Sequence, residues 1–300
     1  MYKAVYAFLN FIGAVTGKKF IYIPKSRSGK YNTAVKSDLG FWYAGNIMSQ
    51  SDIAYGILYN GITEQSGTDL VKICLQNLIE SGKNICFYDI GANTGYYGIL
   101  AAFMGKGKII SHAFEPVEEF TKVEQDSVFL NRLENCCFVH NMAIGNENKK
   151  TEIFVVGTGT TLIKDFLGGE KAKKREVQQV RLDDFAVQEN LTNPDFIKID
   201  VEGFECEVFL GSLGLIKKSL PIIWYESASE LKNRHFKNEH FLESQKLLQD
   251  AGYEIFACRE SDLVSVAGIE KFDDIAMYLA LHKEKHQSLR KILQAKYNLS

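Results

Sequence analysis

Apolar residues in this chain are grouped in two ways, and the grouping predicts its elements. Short continuous runs read as strands buried on both faces, whereas apolar residues recurring every three or four positions read as helices. Strands are expected at Ile85–Ile90, Ile109–Phe114, Cys136–Asn141, Phe196–Asp200 and Pro221–Glu226, with helices at Gly95–Met104, Val117–Leu133 and His240–Ala251. Tyr253–Cys258 and Ile275–His282 read as a closing pair whose last strand runs antiparallel. Alternation of strand and helix argues for a doubly wound α/β sheet, mostly parallel, whose ligands bind at the carboxyl ends of its strands. Thr151–Val156 and Val177–Leu182 look like an inserted antiparallel β-hairpin. The Lys171-Ala172-Lys173-Lys174-Arg175 run between them is expected to be a solvated loop.

The flanks carry other patterns. Ala4–Val15 is mostly apolar and is followed by Lys18-Lys19. It is shorter than the roughly 20 residues that cross a bilayer and lacks a clear signal-peptide layout. It is expected to be a helix that packs on the domain, with peripheral membrane contact or self-association as the alternatives. Aromatic residues and turn formers follow (Ile21-Tyr22-Ile23-Pro24, then Gly40-Phe41-Trp42-Tyr43-Ala44-Gly45), with helices expected near Ser51–Tyr59 and Thr68–Glu80. This region is expected to cap the active site, with Trp42, Tyr43 and Tyr55 either bordering ligand or packing cap on core. Lys283–Ser300, with Leu289, Ile292 and Leu293 at helical spacing, reads as a terminal helix that packs or frays.

The chemistry concentrates where strands end. Phe87-Tyr88-Asp89-Ile90-Gly91-Ala92-Asn93-Thr94-Gly95 runs a buried strand into a glycine turn that opens a helix. The glycines lack the G-x-G-x-x-G spacing that admits a pyrophosphate, and no Gly-Lys-Ser/Thr follows to hold a triphosphate. S-adenosylmethionine (SAM) fits such a turn. The next strand ends at Glu115-Pro116, about 20 residues on, where an acid is placed to accept hydrogen bonds from both ribose hydroxyls. A third strand discharges into Asp200-Val201-Glu202-Gly203-Phe204-Glu205, and Glu226 ends the fifth.

In order and spacing, the glycine turn, Phe114-Glu115-Pro116, Leu182-Asp183-Asp184 and Lys198-Ile199-Asp200-Val201-Glu202-Gly203-Phe204-Glu205 resemble the motifs of the FkbM family of SAM-dependent methyltransferases. The resemblance spans roughly Asn84 to Cys258. It implies a Rossmann-like class I methyltransferase fold, a seven-stranded sheet with an antiparallel last strand, and methyl transfer to oxygen on a saccharide, glycolipid or secondary metabolite. The chain would then divide into a helix and cap (1–82), a SAM-binding domain (83–282, with 150–184 inserted) and a terminal tail (283–300).

Roles follow for individual residues. Asp89 and the Gly91–Gly95 backbone are expected to hold the amino acid end of SAM, with Asn93 capping the turn or touching ligand. Asn141 and Met142 are expected at the adenine. Asp200, Glu202 and Glu226 are the catalytic candidates, with Asp200 also facing the cofactor; the three could alternatively hold Mg²⁺. His112 and His140 are candidate bases or satisfied core residues, and His235 and His240 could reach the site from a loop or stay exposed.

Composition narrows the field further. Among 300 residues 46% are hydrophobic, enough for a large core, and a formal net charge of -2 argues against nucleic acid as a partner. The six cysteines form no C-x-x-C pair and read as reduced core thiols of a cytoplasmic protein. Two rivals of other classes are a non-catalytic SAM- or glycan-binding module of the same fold and an NAD-dependent oxidoreductase. The second lacks its glycine fingerprint, since position 93 is Asn.

Overall fold

The structure is a computed structural model that describes residues 33–156, 159–163, 172–231, 236–259, 262–267 and 276–299, with 7–8, 11, 13–15, 17, 20–22 and 26–27. Helical residues at 7–8, 11 and 13–15 (α1) precede a small antiparallel sheet of β1 (Phe20–Tyr22), β2 (Thr33–Lys36) and β3 (Trp42–Ala44), then α2 (Ile53–Asn60) and α3 (Gln65–Glu80). The main sheet opens with β4 (Ile85–Ile90), α4 (Tyr96–Gly105), β5 (Ile109–Phe114), α5 (Glu118–Leu130) and β6 (Cys137–His140). A second sheet follows, built from β7 (Ala143–Ile144), β8 (Lys149–Val156), β9 (Gly159–Thr161) and β10 (Lys173–Val180), and then α6 (Leu182–Gln188). The main sheet resumes with β11 (Phe196–Ile199), α7 (Glu205–Ser219) and β12 (Ile222–Ser227). A short hairpin, β13 (Glu230–Leu231) with β14 (Phe236–Lys237), leads to α8 (Phe241–Asp250), β15 (Tyr253–Cys258), β16 (Asp262–Ser265), β17 (Ala276–His282), α9 (Gln287–Lys296) and β18 (Asn298–Leu299).

The order across the main sheet is β18-β16-β15-β17-β12-β11-β4-β5-β6. The five strands from β12 to β6 are parallel, and β17 runs antiparallel between β12 and β15. The seven strands of a class I methyltransferase sheet are all present, and β16 and β18 extend it to nine. From β4 the chain steps outward to β5 and β6, then crosses to β11 and β12 on the other side. The reversal between β4 and β11 is where such sheets open a ligand crevice.

Both faces of the sheet are buried, which is why its strands are continuous apolar runs. One core holds Phe87, Phe196, Ile222, Trp224 and Leu279 under α3, α4 and α9; the other holds Tyr88, Ile199, Ile223 and Tyr225 under α6, α7 and α8. Leu289 and Leu293, one helical turn apart on α9, are buried in the first core, so this terminal helix packs on its own domain. Burying each contributes about 1.5–3 kcal/mol. α4 is apolar all round, and a helix of that kind must be covered on every side. The amino-terminal sheet supplies part of the cover: Phe41 packs on Tyr96 and Phe103, and Tyr43 packs on Tyr96 while its hydroxyl meets Thr94 Oγ1 at 2.6 Å.

Several expectations are corrected. The small sheet covers α4 and α5, with the Ala44 N–H donating to Ser127 Oγ at 2.9 Å and the Trp42 N–H to Asn131 Oδ1 at 2.7 Å, and so does not roof the crevice. The insert is four-stranded rather than a pair. Lys173-Lys174-Arg175 begins β10 instead of forming a loop, because charges on neighbouring elements stabilise it: Lys174 pairs with Glu152 of β8 at 2.9 Å, and Arg175 pairs with Glu119 of α5. β10 ends at Val180, and Leu182 starts α6 with Asp183 and Asp184 in its first turn. Of the amino-terminal helix, the described residues Phe8, Phe11 and Val15 are exposed. No described helix is long and apolar enough to cross a membrane.

Candidate active site

A cleft of about 570 Å³, including its open mouth, lies at the carboxyl ends of β4, β5 and β11. Its apolar wall comes from Ile90, Phe114, Met142, Ile144 and Leu162, and its polar wall from Asn93, Glu115, Asp200 and Glu202. The charged side chains lining it, among the described residues, are all acids. Glu115 is buried, with Oε2 accepting from the Asn93 N–H at 2.9 Å and Oε1 from the Val117 N–H at 2.8 Å. Burial pushes its pKa up to about 7, against the pull of those two N–H groups. Each oxygen keeps a lone pair for a further donor such as a ribose hydroxyl.

The glycine turn is built by the chain's own close approaches. Gly91 has φ 70°, and a Cβ there would lie 1.8 Å from the Asp200 carbonyl oxygen. At Gly95, φ 82°, a Cβ would lie 2.3 Å from the Glu124 side chain. Asp89 sits beneath this turn, fully buried, with Oδ2 accepting from the Gly98 N–H at 2.9 Å, so it anchors the start of α4 rather than lining the cleft.

Lys198 joins these parts, and sequence reasoning gave it no role. Its buried ammonium donates to the Gly91 carbonyl at 2.8 Å and stands 3.4 Å from both Asp89 Oδ1 and Asp200 Oδ2. Burial opposes the charge, but Asp200, Asp89 and Glu64 outweigh it and hold the pKa above the ordinary lysine value. The available signal was a lysine inside an apolar strand, which in a sheet buried on both faces needs a carboxylate partner.

At the other side of Lys198 the three candidate acids converge. Carboxylate oxygens of Asp200, Glu202 and Glu226 lie within 4.8 Å of one another. The turn that carries them is tight: Glu202 has φ 54° and Gly203 φ 97°, and Thr161 Oγ1 donates to the Glu202 carbonyl at 2.7 Å. Glu226 is pushed up to about 9, first by burial and then by Asp200, Glu202 and Glu205, with Lys198 opposing. Glu205, buried behind it, is pushed up to about 8 by burial and accepts from the Gly203 N–H at 2.9 Å and the Ser227 hydroxyl at 3.2 Å. Chemically the group can take up a proton near neutral pH or hold a hard cation such as Mg²⁺, and Lys198 already supplies one positive charge at Asp200.

Other candidates fall elsewhere. Met142 lines the cleft, whereas Asn141 does not: its amide donates to the carbonyls of Glu115 and Pro116, each at 3.0 Å, which fixes the end of β5. His112 and His140 meet at 3.1 Å within an aromatic stack with Phe114 and Phe138, and burial pulls both down to about 4, which makes them neutral core residues. His240 pairs with Glu243 at 3.0 Å on the surface, and His235 lies outside the described residues. Tyr55 packs at a tilt on Tyr59, ring centroids 4.4 Å apart, and Tyr97 Oη donates to Glu64 at 2.6 Å.

Residues 89–255 match the methyltransferase FkbM domain, more than half of the chain. The chain belongs to the FkbM methyltransferase family. The FkbM match runs from the glycine turn to β15 and takes in Asp89, Glu115, Asp200, Glu202, Glu205 and Glu226, while Glu64, the amino-terminal sheet, α2, α3 and α9 lie outside it. Solved structures similar to this FkbM chain include a methyltransferase FkbM from Methylobacillus flagellatus, with 16% identity, 65% of this chain and 43% of that chain covered, and TM-score 0.43. The match thus spans less than half of the Methylobacillus protein. Another is an O-methyltransferase from Bacillus cereus in complex with SAH, with 14% identity, 74% and 82% covered, and TM-score 0.45. A third is the cofactor-bound Rv0187 from MTB, with 13% identity, 75% and 82% covered, and TM-score 0.42. No curated protein matches the FkbM chain in sequence.

Proposed function

We propose that this protein binds SAM in the acid-lined cleft and transfers its methyl group to a hydroxyl of a small molecule, saccharide or glycolipid, with Glu226 as general base. The observation that carries this reading is the sign of the cleft: every charged side chain lining it, among the described residues, is an acid. A dinucleotide would bring a pyrophosphate against Glu115, Asp200 and Glu202, whereas SAM brings a sulfonium and an ammonium. In this reading Glu115 takes the ribose, Met142, Phe114 and Ile144 take the adenine, and Asp200 with Glu202 takes the cationic end; all six line the cleft. When bound, SAM supplies an electrophilic methyl group.

The chain's part is to orient the acceptor and take its proton. Glu226 would take up the proton that the acceptor hydroxyl gives up on methylation. A base with a pKa near 9 is stronger than an ordinary carboxylate, and burial first, then its acidic neighbours, make it so. Lys198 holds Asp200 and the Gly91 carbonyl in fixed relation, tying the donor side of the site to the acceptor side.

Calorimetric titration of the intact chain with SAM, and separately with NAD⁺, tests the proposal. Micromolar SAM binding, no NAD⁺ binding, and at least a roughly tenfold loss in Glu115→Ala (about 1.4 kcal/mol) are expected. Folded protein that binds no SAM would leave the binding-module reading in its place.

A further inference from the structure

Resting on that reading, we propose that a second recess beside Glu226 is the acceptor subsite, and that it takes a hydroxylated molecule with an apolar body and one acidic group. A row of cross-strand neighbours leads from the base into it. Glu226 of β12 pairs with Met277 of β17, Met277 with Cys258 of β15, and Cys258 with Leu263 of β16. Residues directly opposite in antiparallel strands project from the same face, and Trp224, two residues before Glu226, shares that face. Met277, Cys258, Leu263 and Trp224 all line a recess of about 550 Å³, including its open mouth, bounded on the helix side by Leu70 of α3.

The chemistry of the recess is lopsided, and this selects the ligand. Apart from Ser66 and Arg259 its walls are aliphatic, aromatic or sulfur-bearing, so a bare sugar would be desolvated there with few partners. The exposed Arg259 lines it as well, and no side chain among the described residues pairs with its guanidinium. A guanidinium next to an apolar wall suits a carboxylate or phosphate attached to an apolar body. Strands lie about 4.8 Å apart, so Glu226 and Cys258, separated by β17, are roughly 10 Å apart, and Arg259 follows Cys258. An acceptor that spans the row thus carries its hydroxyl about that far from its acid. This narrows the acceptor to amphiphilic hydroxy acids or phosphates.

Calorimetric titration of the full chain tests the assignment, with 8-hydroxyoctanoate and its neutral counterpart 1,8-octanediol as probes and SAM titrated in parallel. The acid is expected to bind about tenfold more tightly than the diol, the worth of one charge-assisted contact. That advantage should vanish in Arg259→Gln and persist in Arg259→Lys, with SAM affinity the same in all three proteins. Equal affinities for acid and diol, equal affinity of the acid for wild type and Arg259→Gln, or no binding of the acid by protein that binds SAM would each overturn the subsite. Loss of SAM binding alone, with the Arg259-dependent preference intact, would instead remove the methyltransferase reading and leave the anion-binding recess standing.

Discussion

At the scale of single residues, the site is a set of buried charges whose balance depends on one ammonium. Lys198→Met should leave Asp89 buried without its counter-charge and release the Gly91 carbonyl. Removing one partner from a buried pair costs about 3–5 kcal/mol, and a fall in unfolding free energy of that size, seen as a lower urea midpoint, is expected together with weaker SAM binding. A midpoint unchanged from wild type would show that the ammonium does not hold the turn. Glu226→Gln acts in the opposite sense. The carboxyl has been raised from 4.5 to about 9, so at neutral pH its environment favours the uncharged form that Gln imitates. The substitution is expected to stabilise the fold by about 0.5–2 kcal/mol at pH 8 while abolishing turnover, which is the usual trade between a strained site and stability. Turnover of the wild type is expected to persist in EDTA; activity that EDTA removes and Mg²⁺ restores would instead put a cation among Asp200, Glu202 and Glu226.

At the scale of elements, sequence reading succeeded where an element's cause is local. β4, β5, β11 and β12 were legible because burial on both faces favours apolar residues at most of their positions, and the Gly91–Gly95 turn because the strand before it stops at a glycine. The second half of β10 was legible from Val177 onward, but its start at Lys173 was not, since the charged residues there are held by partners on β8 and α5 that are distant in sequence. α7 was hidden for a similar reason. Gly211 and Gly214 lower its helix propensity, yet they are where other chain segments press on it: a Cβ at Gly211 would lie 1.8 Å from the Gly145 carbonyl oxygen, and at Gly214 2.9 Å from Asp183. Gly211→Ala should therefore lower stability by roughly 1–3 kcal/mol even though alanine is the better helix former. A higher denaturation midpoint for this variant would mean that propensity outweighs the contact. The acids were legible as strand ends, but their pairing through Lys198, like the recess beside Glu226, depends on register between strands that no local pattern encodes.

At the scale of the whole molecule, the buried titratable groups set a pH window for stability, and SAM should move it. Glu115, Glu205 and Glu226 have folded pKa values raised from 4.5 to about 7, 8 and 9. Their stabilisation is complete below 4.5 and is lost as pH rises through those values, because the unfolded chain releases the protons first. His112 and His140, pulled down from 6.5 to about 4, act on the other side: their contribution is present above 6.5 and is lost as pH falls towards 4. Stability should therefore peak near pH 4.5, where the two sets of groups balance, and decline on the alkaline side, three carboxyls outweighing two imidazoles. A cation in the acid-lined cleft favours the ionised carboxylates, so it binds more tightly as they lose their protons. The rise in Tm caused by saturating SAM should accordingly grow from pH 6 to pH 9, and the alkaline decline should flatten. Thermal unfolding across that range, with and without SAM, measures both. A SAM-induced shift that stays constant with pH would mean that Glu115 and Glu226 do not sense the ligand's charge, and would detach the base from the cofactor site on which the proposed chemistry depends.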